Sequence, residues 1–205
     1  MTSAAGRLFV ATTNPNKLKE IRPLLAGLAI ELVTLADVPV VAEPDETGAT
    51  FWENARIKAL AYAGATGLTT VAEDSGFEVD AIGGEPGVRS ARFLSPSASY
   101  PERFAEIYRR LAGRASSARF VTALAVARGA EVLFETKTAI AGAVAEGPRG
   151  GNGFGYDPIF YYPPFAKTTA ELTDAQKAII SHRARAFRDL RRWLESEPAS
   201  LLRKP

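Results

Sequence analysis

Twelve side chains with ligand or proton-transfer chemistry fall in loops or at the ends of predicted elements. Four are anionic: Glu46, Glu73, Asp74 and Asp157. Four are cationic: Lys17, Lys58, Lys167 and Arg183. Asn16, Asn54, Ser75 and His182 are neutral hydrogen bonders. Carboxylates in a chain with no cysteine and a single histidine favour a hard, oxygen-ligated cation, Mg²⁺ or Mn²⁺, over zinc. Several lysines beside such a cation suit a polyphosphate, because a triphosphate carries about four negative charges that must be balanced for in-line attack. A carboxylate at the metal can accept the proton of an attacking water. The residues alone point to a metal-dependent hydrolase acting on a phosphorylated small molecule.

The elements that must position these groups follow from local pattern. Thr70-Val71-Ala72 reads as a buried strand running into Glu73-Asp74-Ser75, with Gly76 as the turn that stops it. Two carboxylates at a strand mouth repel unless a cation or proton lies between them, and ligands of α/β sheets sit beyond such strand ends. An acidic turn capped by Asp74 is the bland alternative. Leu8 to Ala11 reads as a strand, followed by Thr12-Thr13-Asn14-Pro15-Asn16-Lys17 and an apolar stripe at Leu18, Ile21, Leu24 and Leu25. A helix start after a strand offers free N–H groups and a positive dipole end to a phosphate, and Lys17 adds a charge. The turn lacks P-loop glycines, and a plain cap by Thr13 or Asn14 with Pro15 near N1 is the competing reading. Pro23 should kink or shorten that helix. A second strand is expected over Ile30–Leu35 and an irregular stretch over Val38–Asp45. A helix is expected from Phe51 to about Gly64, with Asn54, Lys58 and Ala61 on one face. Lysine is ordinarily solvated, so Lys58 also reads as a surface residue.

Beyond the acidic stretch, Gly83-Gly84 and Pro86-Gly87 mark turns, Ser90–Phe93 reads as extended, and Tyr100–Leu111 as a helix whose stripe is Phe104, Ile107, Tyr108 and Leu111. Arg119–Ala127 and Val132–Val144 read as a hairpin joined around Arg128-Gly129-Ala130. Poor alternation at Thr136, Lys137 and Thr138 suggests an edge. Gly147 to Pro158 holds five glycines and two prolines in twelve residues, which excludes a helix or central strand. Phe154 and Tyr156 supply flat faces for a base and Asp157 an acceptor; a flexible surface loop is the alternative. Ile159–Tyr162 is a short strand, a helical turn starts at Thr173, and Ser181 caps a last helix opening at His182-Arg183. A lone histidine there more often caps or lies on the surface than catalyses.

The 205 residues fit one domain, or one domain with two lobes. Strands and helices mix throughout, so the class is α/β or α+β. Net charge is +2, which provides no strong field. From Arg183 to Lys204 seven Lys or Arg face Asp189, Glu195 and Glu197; a solvated helix face explains this more simply than nucleic-acid binding. The absence of cysteine excludes disulfides, thiolate metal sites and cysteine nucleophiles. Met1 to Arg7 has no long apolar run behind it, so no signal peptide or membrane span is expected, and the expectation is a cytoplasmic protein.

Seven segments in order then resemble one family: Ala11–Lys17, Glu46–Ala55, Glu73–Gly76, Gly83–Gly87, Gly153–Pro158, Lys167-Thr168 and Ser181–Arg183. The set is similar to the Ham1/RdgB inosine triphosphate (dITP/XTP) pyrophosphatases over about Leu8 to Leu194. The resemblance implies a single pyrophosphatase domain over residues 1–205. Its fold would be α/β, with a mixed, elongated central sheet flanked by helices and two lobes with an active-site cleft between them. It implies a homodimer, Mg²⁺ (with Mn²⁺ possible) and hydrolysis of ITP, dITP or XTP to the monophosphate and pyrophosphate, clearing deaminated purines from the nucleotide pool. By position it makes Glu46 and Asp74 metal ligands and Asp74 also the proton acceptor. Thr12, Thr13, Asn14, Asn16, Lys17 and Lys58 become phosphate contacts and Ser75 a substrate contact. Phe154, Gly155, Tyr156 and Asp157 resemble the base loop, completed by Lys167, His182 and Arg183. Many members carry Asp-Asp-Ser-Gly where this chain has Glu73-Asp74-Ser75-Gly76, which leaves direct ligation by Glu73 open.

Hypoxanthine and xanthine carry a 6-oxo group where adenine has an amine, so donors from backbone N–H, His182 or Arg183 would favour them. Two rivals stand beside this reading. One is a Maf-like nucleotide pyrophosphatase with other substrates, opposed by Phe154–Asp157 and Ser181–Arg183. The other is a nucleic-acid-binding module using the basic C-terminal helix, opposed by the near-neutral charge.

Overall fold

The computed structural model describes residues 6–196. Expectations concerning Met1–Ala5, Glu197, Arg203 and Lys204 lie outside the described residues. Seven strands form one mixed sheet in the order β2-β1-β3-β4-β5-β6-β7. They are β1 (Gly6–Val10), β2 (Ile30–Val33), β3 (Thr69–Val79), β4 (Ser117–Arg128), β5 (Glu131–Val144), β6 (Phe160–Tyr162) and β7 (Lys167–Thr168). β1 pairs in parallel with β2 and with β3, whereas β6 is antiparallel to β5 and to β7. The helices are α1 (Pro15–Leu25), α2 (Phe51–Thr66), α3 (Tyr100–Leu111), α4 (Asp174–Ile180) and α5 (His182–Ser196). The α/β class with a mixed sheet is therefore as expected. Among the described residues no helix is long and apolar enough to cross a membrane.

The chain divides into two compact units. One comprises Met1–Asp74, Thr122–Thr138 and Arg183–Pro205; the other comprises Ser75–Val121 and Ala139–His182. The first unit's core joins Leu8 and Val10 of β1, Ile21 and Leu25 of α1, Val71 of β3, Leu124 and Val126 of β4, and Ala186, Phe187 and Leu190 of α5. The apolar stripes of α1 and α5 and the alternation of the strands all converge there, and burial of those faces drives the packing. The second unit is built on aromatics. Tyr156 stacks on Phe77 at 5.1 Å and meets Tyr100 edge-on at 5.4 Å, and its hydroxyl donates to the Ser90 carbonyl at 2.9 Å.

Three expectations need correction. Gly76 does not end β3, which continues to Val79 because Phe77 and Val79 are fully buried in the second core; burial overrides the turn preference of glycine. Ser90–Phe93 is not extended. Gly87–Arg92 forms a 3-10 turn, since the Ser90 hydroxyl donates to the Gly87 carbonyl and accepts from the Phe77 N–H. Pro23 lies inside α1, which starts at Pro15 and runs two residues past it to Leu25; the proline removes the N–H that would otherwise bond the Lys19 carbonyl. Ala61 is exposed; the buried face of α2 is Asn54, Lys58 and Tyr62. β5 is not an outer strand, since it lies between β4 and β6, although β6 pairs only with Ala143 and Val144 of its 14 residues.

Burial pushes the Tyr156 phenol well above the usual tyrosine range, against a smaller opposing pull from Arg103. A raised phenol stabilises the fold fully below the unfolded value of about 10, and that stability is lost as pH rises beyond it. Alkaline titration at 295 nm should therefore show Tyr156 ionising only as the fold opens. Reversible ionisation of all six tyrosines near pH 10 in the folded protein would contradict this.

Candidate active site

In the first unit the strand alternation of β3 sends the adjacent carboxylates to opposite faces, and each makes its direct contacts with different cations, Lys58 for Asp74 and Arg183 and Lys17 for Glu73. Asp74, 5% exposed, is held on one side by α2. Asn54 Nδ2 donates to Asp74 Oδ2 at 3.0 Å, and Lys58 Nζ approaches Asp74 Oδ1 at 3.4 Å and Glu46 Oε1 at 2.6 Å. Asn54 and Lys58 are one turn apart on the helix and so share a face. The same Asn54 accepts the Gly48 N–H at 2.8 Å, which clamps the loop carrying Glu46 against the start of α2. A Cβ at Gly48 would lie 2.6 Å from Glu53 Cβ and 2.7 Å from Asn54 Oδ1, so this clamp needs glycine. Thr50 and Glu53 form a capping box at that helix start.

Burial raises the Asp74 carboxyl above its ordinary range, with Lys58 as the main opposing influence. Burial also pulls Lys58 down, but Asp74 and Glu46 together outweigh it and hold the ammonium above the usual lysine range. Lys58 is 8% exposed and is not the solvated surface lysine of the bland reading.

Glu73, on the other face, is engaged by Arg183 Nε at 2.7 Å, Lys17 Nζ at 3.4 Å and Thr122 Oγ1 at 3.5 Å. Arg183 Nη1 also reaches Glu20 Oε2 at 2.6 Å. Two carboxylates and two cations thus neutralise one another inside the first unit. Burial lowers the Lys17 ammonium, only partly offset by Glu73. Burial would depress Arg183 too, but Glu73 and Glu20 reverse it and secure its charge. Neither Glu20 nor Thr122 is singled out by the sequence, because each acquires its role only when α1 and β4 pack beside β3.

The turn before α1 behaves as a cap. Asn14 Oδ1 accepts from the N–H of Asn16 at 2.9 Å and of Lys17 at 3.3 Å, and Thr12 Oγ1 accepts from the Asn14 N–H. Thr13 and Asn16 are exposed.

In the second unit the glycine-rich loop is tied down rather than loose. Asn152 Nδ2 donates to the Leu172 carbonyl and to Asp174 Oδ1. Asp157, buried, accepts from the Phe154 N–H at 2.8 Å, Thr169 Oγ1 at 2.8 Å and Lys177 Nζ at 2.5 Å. Gly153 has φ +79°, and a Cβ there would lie 2.2 Å from Asp157 Oδ2; only glycine lets this turn close on the carboxylate. Two residues of this region, Tyr156 and His182, are more buried than expected. Tyr156, 3% exposed, belongs to the aromatic core and presents no face to a base. Lys167 is exposed on β7. The lysine that reaches Asp157 is Lys177, whose ammonium lies 5.0 Å from the centroid of the half-buried Phe154 ring. Its sequence signal is a helical step of three back from the buried Ile180, which turns Lys177 inward. His182 is buried and stacked on Phe120, centroids 4.9 Å apart and planes within 7°, so it is not a surface residue. Gly155 has φ +67° and Ser75 is half-buried.

Among the described residues no group of three or more His, Cys, Asp or Glu side chains is arranged to hold a metal ion. Mg²⁺ ordinarily takes one or two carboxylates and completes its shell with water and substrate phosphate. Glu46 and Asp74, both drawn to one point by Lys58 Nζ, are such a pair, and the donor chemistry fits.

The Ham1 family model matches residues 8–193. A protein named dITP/XTP pyrophosphatase from Gloeobacter violaceus is 48% identical over 184 residues, 89% of this chain and 91% of that one. One of the same name from an Exiguobacterium species is 44% identical over 185 residues, covering 90% and 94%. The solved structure of a HAM1 protein from Coxiella burnetii superposes with a TM-score of 0.85 at 37% identity, covering 93% of this chain and 99% of that one. With agreement of this extent in sequence and in fold, the chain belongs to the Ham1 family.

Proposed function

We propose that this chain hydrolyses noncanonical purine nucleoside triphosphates (ITP, dITP and XTP) to the nucleoside monophosphate and pyrophosphate. The names carried by its relatives support the substrate class. The observation that carries the chemistry is Asp74, a buried carboxylate raised in proton affinity, oriented by Asn54 and set beside Lys58 and Glu46. In this reading Asp74 accepts the proton of the water that attacks the α-phosphorus, and Lys17 and Lys58 offset the charge of the phosphates. Glu46 and Asp74 would hold Mg²⁺, which when bound supplies charge neutralisation at the phosphate oxygens. Glu73 is not a ligand in this assignment, since Arg183, Lys17 and Thr122 already engage it.

Phe154, whose ring is half-buried, is assigned as the stacking face for the base. The ammonium of Lys177, anchored by Asp157 and lying over that ring, is the donor suited to a 6-oxo group. Arg183 is assigned instead to the charge cluster around Glu73. A cytoplasmic location, supported by the cysteine-free composition, and a homodimer, supported by the family resemblance, complete the proposal.

The test is release of monophosphate and pyrophosphate from ITP, XTP, GTP and ATP with Mg²⁺. Preference for ITP and XTP is expected. Equal turnover of ATP and ITP would remove the 6-oxo argument, and release of inorganic phosphate would place attack at the terminal phosphate and overturn the mechanism.

A further inference from the structure

Lys58 makes its two ion pairs with the two residues assigned to the metal: Nζ lies 2.6 Å from Glu46 Oε1 and 3.4 Å from Asp74 Oδ1. We infer that the Lys58 ammonium is the resident counter-ion of the Glu46–Asp74 pair and yields that place to a divalent cation when a triphosphate arrives to receive it, so that metal and triphosphate bind cooperatively through this side chain. The inference rests on the metal and triphosphate reading given above.

The physical argument has three parts. First, the carboxylates are held in place independently of Lys58. Asn54 fixes the other Asp74 oxygen, and the Gly48 contact to the same Asn54 fixes the loop that carries Glu46. Removing the ammonium therefore leaves the pair assembled. Second, an ammonium at hydrogen-bonding distance from both carboxylates repels a divalent cation bound by the same two groups, and in a largely buried setting that repulsion is poorly screened. Third, Lys58 is almost fully buried, and a buried ammonium deprived of its carboxylates is costly unless another anion replaces them. The oxygens of a polyphosphate are such an anion. The metal alone must therefore pull Lys58 away without compensation, whereas metal with triphosphate exchanges one partner for another. By linkage, each ligand then strengthens the other to the same degree.

The test uses the intact chain and Mn²⁺, followed by the electron paramagnetic resonance signal of the free ion. Without nucleotide, Lys58→Met is expected to bind Mn²⁺ about tenfold more tightly than wild type, while Lys58→Arg, which keeps the charge, remains weak. In wild type, an α,β-methylene analogue of ITP should tighten Mn²⁺ binding by about tenfold beyond its own chelation in solution, and in Lys58→Met that gain should shrink. Equal or weaker Mn²⁺ binding by Lys58→Met, or no gain in wild type with the analogue bound, would overturn the inference. The wild-type arm decides the matter if Lys58→Met fails to fold. Failure of the analogue to bind under any condition would count against the nucleotide reading itself, and the comparison of wild type with Lys58→Met would still decide the role of the ammonium.

Discussion

Asp74→Asn is expected to fold as wild type does and to lose turnover by about 10²–10⁴-fold, the usual worth of a positioned general base. The substitution preserves shape and the contact to Asn54 Nδ2 but removes the proton acceptor. Folding should survive because Asp74 is a strained charge, its carboxyl raised by burial. Neutralising it relieves a desolvation cost, and Lys58 keeps the shorter of its two ion pairs, to Glu46. The melting temperature should therefore change little or rise. Pyrophosphate release and a thermal melt on the same preparation check both halves. Near-normal turnover with intact folding would mean that the proton goes elsewhere.

Arg183→Leu is expected to cost about 3–5 kcal/mol of stability, because it strips a buried carboxylate of its main partner. Arg183 and Glu73 each have side chains only 3% exposed, and Lys17 lies farther from Glu73, at 3.4 Å. For a chain of this size the loss corresponds to a fall of about 6–20 °C in melting temperature. Urea unfolding of Arg183→Leu, Glu73→Leu and the double variant separates net worth from uncompensated charge. The double variant should recover much of the loss, because an apolar pair of similar volume often replaces a buried ion pair without penalty. A single variant as stable as wild type would show that Glu73 is solvated or protonated in the fold.

Much of this protein was legible in the chain alone. The α/β class, the helix over Tyr100–Leu111 and the hairpin of β4 and β5 follow from local periodicity, which burial of one face reinforces. The residue types also pointed to the phosphate and hard-cation chemistry of the proposed function, since carboxylates, lysines and a cysteine-free composition narrow the choices by elementary coordination preference. Asn14 was readable as a cap because capping needs only the four residues that follow.

What only the tertiary structure decided are the partnerships. In an extended strand adjacent residues face opposite ways, so Glu73 and Asp74 serve different clusters; sequence reading joined them because it took Gly76 as a stop and placed both at a strand end. Lys58 and Lys17 look alike in sequence, yet one sits between two carboxylates and the other shares a carboxylate with an arginine 166 positions along the chain. Lys177 contacts Asp157 and Tyr156 lies in the aromatic core, because long-range packing sets which face of α4 and which ring of the loop turn inward. Local sequence specifies the inventory of charges and the elements that carry them. The pairing of those charges is settled by burial, which makes an unpaired ion too costly to keep and so selects the one arrangement in which each finds a partner.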